Sequence, residues 1–212
     1  MKKNFLQICS LLLMMILSFS CQKADSGSDN KKGSDAKKIF SLVKNSGVNF
    51  SNPLTQTAKL STFDYQYFQN GGGVAIADFD QDGLEDIFFT SNQKKDRIYR
   101  NEGNLKFKDL TESAGTNGFA RGISNSWSTG VTIVDVNVDG YPDIYICKSG
   151  NFKSGIGTEN LLYVNNKNFT FTEQSEKYGL NDAGHSTQAV FFDADRDGDL
   201  DAYILNLSLI HI

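Results

Sequence analysis

Three segments of this sequence align without a gap: DFDQDGLED from Asp78, DVNVDGYPD from Asp135 and DADRDGDLD from Asp193. Their starts lie 57 and 58 residues apart. A near-constant spacing of this size is the signature of a repeat array, whose units bury their apolar faces only against their neighbours. The rest of the period repeats as well. IYRNEGNLKFKDLTESAG from Ile98 matches LYVNNKNFTFTEQSEKYG from Leu162, so that Tyr99 aligns with Tyr163, Asn101 with Asn165 and Phe107 with Phe171. Upstream, STGVTIVDVN from Ser128 matches STQAVFFDAD from Ser186, and GGGVAIADFD from Gly71 takes the same place in the first repeat.

Each period holds four short runs rich in Val, Ile, Phe and Tyr, bounded by Gly, Asn and Asp. In the first they fall at about 74–79, 87–90, 97–100 and 106–110. Runs of that length and composition read as strands, and four strands per period make a propeller blade. The expected fold is therefore all-β, a partial β-propeller of four-stranded blades. Residues 71–116 give one blade, about 127–180 a second, and 186–206 the first two strands of a third, so about two and a half blades are present. A closed ring needs at least four. The expectation is a longer parent protein or an oligomer. The blade pattern stops after Asn206, and residues 207–212, LSLIHI, are expected to be a non-native tail.

Within each acidic loop, oxygen-bearing side chains alternate. The first presents Asp78, Asp80 and Asp82 at positions 1, 3 and 5, then Gly83, with Asp86 at position 9. The second presents Asp135, Asn137, Asp139, Gly140 and Asp143; the third Asp193, Asp195, Asp197, Gly198 and Asp201. Such alternation lets the side chains converge on one point, and the glycine permits a sharp backbone reversal. A carbonyl at position 7 (Leu84, Tyr141, Asp199) can add another oxygen. An all-oxygen set of this kind suits Ca²⁺, and no Cys/His cluster competes for a softer metal. The loops are not EF-hands, which need Glu at position 12, where this chain has Phe89, Ile146 and Ile204.

Ahead of the repeats, residues 1–21 carry Lys2 and Lys3, then a mostly apolar stretch, then LSFSC ending at Cys21. That is the pattern of a secretory signal too short for a comfortable membrane span. LSFSC resembles a bacterial lipoprotein signal, which implies lipidation of Cys21, secretion across the inner membrane of a bacterium, and anchoring at the outer membrane or cell surface. Residues 22–38, rich in Ser, Asp and Lys, are expected to be a disordered tether; residues 39–70 form a lead-in to the blades at 71–206. With Cys9 in the signal and Cys21 lipidated, Cys147 is left without an intrachain partner and is expected to act as a small buried hydrophobe.

On these residues the chain resembles the FG-GAP/VCBS repeat proteins, whose calcium loops lie between the first two strands of each blade, as in integrin α-subunit heads. GGGVAIADFDQDGLEDIFFTSN, STGVTIVDVNVDGYPDIYI and STQAVFFDADRDGDLDAYILN are similar to bacterial relatives of cartilage acidic protein, which often carry an ASPIC/UnbV domain further along. The resemblance implies extracellular binding or adhesion toward a protein or glycan and names no ligand.

A net charge of −4 argues against a nucleic-acid partner. No residue supports catalysis directly. The alternative to a binding scaffold is a calcium-dependent polysaccharide lyase or hydrolase, or the carrier of a separate catalytic domain. His185 beside Ser186 is no triad, and its expected role is structural. In the connection NGFARGISNSW, Arg121 and Trp127 could meet a sugar or partner, while Trp127 could equally pack between blades.

Overall fold

A computed structural model describes residues 39–58, 60–65, 67–116, 127–149 and 159–207. The signal, Cys21, the tether, Arg121 and residues 208–212 lie outside the described residues. The chain divides into the units Met1–Leu42 and Val43–Ile212, and every regular element below belongs to the second.

That unit is built of antiparallel sheets. Strands β1 (Val74–Ala77), β2 (Asp86–Phe89), β3 (Arg97–Asn101) and β4 (Phe107–Asp109) form a four-stranded sheet in sequence order. After a single turn of helix, α1 (Thr111–Ala114), strands β5 (Ser128–Val134), β6 (Asp143–Lys148), β7 (Leu161–Asn165) and β8 (Phe171–Glu173) form a second. A two-stranded sheet of β9 (Ser186–Phe192) and β10 (Asp201–Asn206) follows. Register repeats with the sequence: Ile87 pairs with Tyr99 and Tyr99 with Asp109, while Ile144 pairs with Tyr163 and Tyr163 with Glu173. The fold is the all-β, partial propeller expected from the repeat.

The first strands of successive blades, β1, β5 and β9, stand beside one another. Small residues allow it. A Cβ on Gly130 would collide with the Thr187 carbonyl, and one on Gly73 would lie 3.0 Å from the Thr129 carbonyl. Threonine hydroxyls stitch the seam, as where Thr132 donates to the Ala189 carbonyl at 2.6 Å.

Period-2 alternation then divides the middle blade between its neighbours. Ile144, Ile146, Leu161 and Tyr163 share a core with Ala75, Phe79, Phe88 and Ile98 of the first blade. On the opposite face Tyr145, Cys147, Leu162 and Val164 pack with Ala189, Phe191 and Ile204 of the third. Hence β6 and β7 are buried at every residue, whereas β10 has no buried position. Burial pushes the Cys147 thiol up to about 12, so it is an apolar packing group at neutral pH. Trp127 is 3% exposed and meets Tyr65 edge-on at 5.6 Å, beside Phe68. Its partners come from the segment ahead of the blades, and it offers no exposed face to a sugar. His185 sets Nδ1 2.6 Å from the Ser149 carbonyl, a backbone contact in keeping with a structural role.

A repeated polar latch joins the blades. Buried Asp96 accepts the Ser91 N–H at 2.6 Å and the Ser128 hydroxyl at 2.9 Å, and buried Lys148 donates to that same hydroxyl at 2.7 Å. One junction later the same places hold Asn160, Ser186 and Asn206. Asn160 accepts the Lys148 N–H at 2.7 Å and donates to the Ser186 hydroxyl at 2.9 Å, which donates to Asn206 at 2.7 Å. The first junction thus uses a buried charge pair, whereas the second uses two amides, with the Asp182 carboxylate accepting from Asn206 at 3.0 Å. Burial drives the Asp96 pKa up and that of Lys148 down, and each charge opposes the other's shift. Lys148→Met, which strands the Asp96 charge, is expected to cost about 3–5 kcal/mol in urea unfolding. The double variant Asp96→Asn, Lys148→Asn removes both buried charges, places the second junction's two amides at the first, and is expected to recover most of that loss. A double variant no more stable than Lys148→Met would refute the ionic account.

Candidate metal centres

Each acidic loop joins the first two strands of its blade, and all three share two hydrogen bonds, from position 6 to the carboxylate at position 1 and from position 7 to that at position 5. In loop 1, Asp78 accepts the N–H of Asp82 at 3.1 Å and of Gly83 at 2.8 Å, and Asp82 accepts the N–H of Leu84 at 2.9 Å. In loop 2, Asp135 takes the Asp139 and Gly140 N–H groups at 3.0 and 2.7 Å, and Asp139 takes that of Tyr141 at 2.9 Å. In loop 3, Asp193 takes the Arg196 and Gly198 N–H groups at 2.6 and 3.2 Å, and Asp197 takes that of Asp199 at 3.1 Å. Leu84, Tyr141 and Asp199, expected to offer carbonyls, therefore turn their N–H groups onto the carboxylate at position 5.

The position-6 glycines hold the left-handed backbone that the reversal requires, at φ 86°, 87° and 95° for Gly83, Gly140 and Gly198. Position 4 is left-handed too: Gln81 at 59°, Val138 at 55° and Arg196 at 67°. Nothing in those residue types announces it, and for a β-branched valine this backbone is an outlier.

Carboxylates gather as the spacing requires. One oxygen each from Asp78, Asp80 and Asp82 can lie within 4.8 Å of one another, and the same holds for Asp193, Asp195 and Asp197. Loop 2 has Asn137 in the third place. Its amide accepts the Asp139 N–H at 3.1 Å and donates to the Asp139 carboxylate at 3.1 Å. The donor set fits a hard cation in one further respect. Asp80 Oδ1 is shut off from solvent and has no hydrogen-bond partner among the described residues. An orphaned buried oxygen of that kind is costly until something positive meets it.

Position 9 differs from the other expected ligands. Asp86 and Asp143 are fully buried, and both oxygens of each accept backbone N–H groups. Asp86 takes those of Phe79 and Asn101 at 3.0 and 2.7 Å; Asp143 takes those of Val136 and Asn165 at 2.9 and 2.8 Å. Asp201 takes the Ala194 N–H at 2.8 Å and is exposed. Burial pushes Asp86 up to about 6 against the pull of its two N–H donors, with Asp80 and Asp82 adding to the rise. Asp143 shifts the same way, also through burial.

Residues outside the loops take part. Asn165 donates to the Phe79 carbonyl of loop 1 at 2.8 Å, and Phe79 itself meets Phe171 edge-on at 5.6 Å. Gln81 donates to the Gly140 carbonyl at 2.7 Å, tying loop 1 to loop 2. The Asn101/Asn165 match in the repeat was the available signal for the first of these contacts. Basic side chains also reach two loops. The Arg100 guanidinium sits 2.7 Å from Asp80 and 3.0 Å from Asp82, and the Lys167 ammonium lies 3.4 Å from Asp139. Alignment hides Arg100, because its counterpart is Val164.

Residues 54–146 match the FG-GAP-like repeat family model, a span that includes the first two loops. No curated protein matches the chain. Among the described residues, no helix is long and apolar enough to cross a membrane.

Left-handed Val138 supplies a direct test of the loop geometry. It is 85% exposed, so no packing is lost on replacement. Val138→Gly removes the side-chain clash of the left-handed backbone and is expected to raise stability in chelator by about 1 kcal/mol, read from chemical unfolding. Destabilisation would mean that loop 2 does not hold this conformation in solution.

Proposed function

We propose that this chain is part of a calcium-binding, lipid-anchored extracytoplasmic scaffold whose repeated blades present a surface to a protein or glycan. The observation that carries the reading is the set of three oxygen-rich loops that share two hydrogen bonds around the position-6 glycine, two of them gathering three carboxylates each. The family match over residues 54–146 supports a repeat scaffold for extracellular binding. Calcium would sit among the side chains of positions 1, 3 and 5, and position 9 would brace the loop from behind. In this reading the cation offsets the mutual repulsion of the carboxylates and holds the first two strands of each blade together.

Loops of extracellular modules bind calcium with dissociation constants of roughly 10⁻⁴ to 10⁻³ M. Binding to the native state alone then stabilises by about 1 kcal/mol per site at millimolar calcium. Thermal unfolding is expected to move to higher temperature in calcium than in chelator, and Asp195→Ala is expected to remove part of the gain. An unchanged midpoint, with no heat of binding in isothermal titration at millimolar calcium, would reduce the loops to polar turns. The anchor has its own test. Labelled fatty acid is expected to join the intact protein and to be lost in Cys21→Ala; label that persists in the variant would reject lipidation at that residue.

A further inference from the structure

The three loops share a backbone but not a charge environment. Loop 1 alone holds a guanidinium seated across two of its carboxylates, at 2.7 Å from Asp80 and 3.0 Å from Asp82. Arg100 reaches them from β3, the strand two places along the same sheet. A planar fork with fixed donors suits two carboxylates and stays put once bound. Lys167 approaches loop 2 from beyond β7, at 3.4 Å from Asp139, and lies 5.2 Å from the Tyr141 ring, a looser point-charge contact. Among the described residues, no ion pair is formed by Asp193, Asp195 or Asp197 of loop 3.

We propose that Arg100 is a tethered counter-cation that keeps loop 1 folded without calcium and lowers its calcium affinity, so that this loop responds to a higher calcium range than it otherwise would. The inference rests on the calcium reading above. Asp80 divides its two oxygens. Oδ2 faces Arg100, while Oδ1 is buried and unpartnered. The guanidinium therefore does not plug the cluster; it leaves an oxygen for an incoming ion. What it changes is the balance between the two states. In the empty loop its charge faces three uncompensated carboxylates, and in the filled loop it faces carboxylates already neutralised, with a divalent ion nearby. Arg100 stabilises the empty state more than the filled one, and the two cations are coupled unfavourably. Coupling is reciprocal: Arg100 weakens calcium by the same factor that calcium weakens the Arg100 contact.

The position-6 glycine amides report each loop separately, because each donates to the carboxylate at position 1. Calcium is titrated into the ¹⁵N-labelled protein while Gly83, Gly140 and Gly198 are followed by NMR. In Arg100→Gln the Gly83 midpoint is expected to fall to about one-tenth of its wild-type calcium concentration, with Gly140 and Gly198 unchanged. Thermal unfolding in chelator is expected to drop in the same variant, and the deficit to shrink at saturating calcium. Should Arg100→Gln fail to fold, Arg100→Lys keeps the charge without the fork, and its Gly83 midpoint is expected below that of the wild type. A Gly83 midpoint that stays or rises while Gly140 and Gly198 still titrate overturns the proposal and leaves the calcium reading standing. No movement at any of the three glycines in the wild-type protein removes both.

Discussion

A carboxylate with no exposed surface stands at the ninth position of each of the first two loops, and it holds three pieces of chain at once. Asp86 is covalently part of β2, takes the Phe79 N–H of the loop, and takes the Asn101 N–H at the end of β3. Asp143 does the same for Val136 and Asn165. An ionised group buried this way is expensive unless it is hydrogen-bonded, and one N–H donor on each oxygen offsets part of that cost. Without that strap the loop would lose its anchor to the sheet, and the carboxylates at positions 1, 3 and 5 would have no fixed frame from which to converge. The shape of the candidate metal site is thus set from behind, by hydrogen bonds that tie position 9 to the loop and to the third strand.

Because Phe79 lies between the two candidate ligand positions Asp78 and Asp80, the loop is also part of a blade interface. Its side chain is fully buried against Phe169 and Phe171 of the next blade, and its carbonyl receives Asn165 from the same direction. Gln81 then links to the Gly140 carbonyl of loop 2. A change in loop 1 cannot stay local under these contacts. It must pass to the second blade through two aromatic contacts and two hydrogen bonds, which run from residues of loop 1 to β7, to loop 2 and to the turn and strand around Phe169 and Phe171. That arrangement suits a repeat array, in which each unit is stable only against its neighbour.

The repeat period made the fold legible. β1 to β4 fall within one residue of the expected runs at each boundary except the end of the first, which comes two residues early, since hydrophobic runs and turn residues recur at matched places in every unit. Packing of Cys147 followed from its place in a strand pattern, and the left-handed glycines from the reversal the loop needs. Other features leave no mark in a single unit. Val138 and Arg196 are ordinary residues whose left-handed backbone is imposed by the hydrogen bonds around them. Trp127 finds its partners, Tyr65 and Phe68, in a segment outside the repeat, so no comparison between units could pair them. The N–H bonds of Asp86 and Asp143 to the loop and the third strand leave no mark in the spacing, which counts oxygens without showing their backbone partners. Arg100 was invisible for the opposite reason: alignment rewards what recurs, and Arg100 replaces a valine.

Those departures from the repeat share a physical character. Where units are compared position by position, the apolar core and the turn geometry are kept, and it is charge that varies: Asp96 and Lys148 against Asn160 and Asn206 at the junctions, Arg100 against Val164 beside the loops. Apolar packing tolerates little change, because each side chain fills a space defined by two blades at once. A charge is constrained differently. It is tolerated wherever a partner meets it, and once paired it distinguishes its own position from every equivalent one. At the second junction Asn206 stands in the place of Lys148, is exposed, and donates to the Asp182 carboxylate at 3.0 Å. Arg100 placed at loop 2 would meet Asn137 and Asp139 in place of two carboxylates. Near-identical blades carry no instruction of their own about order. Paired charges at unequal places supply one, since Asp96 and Lys148 compensate each other only where the first two units are neighbours.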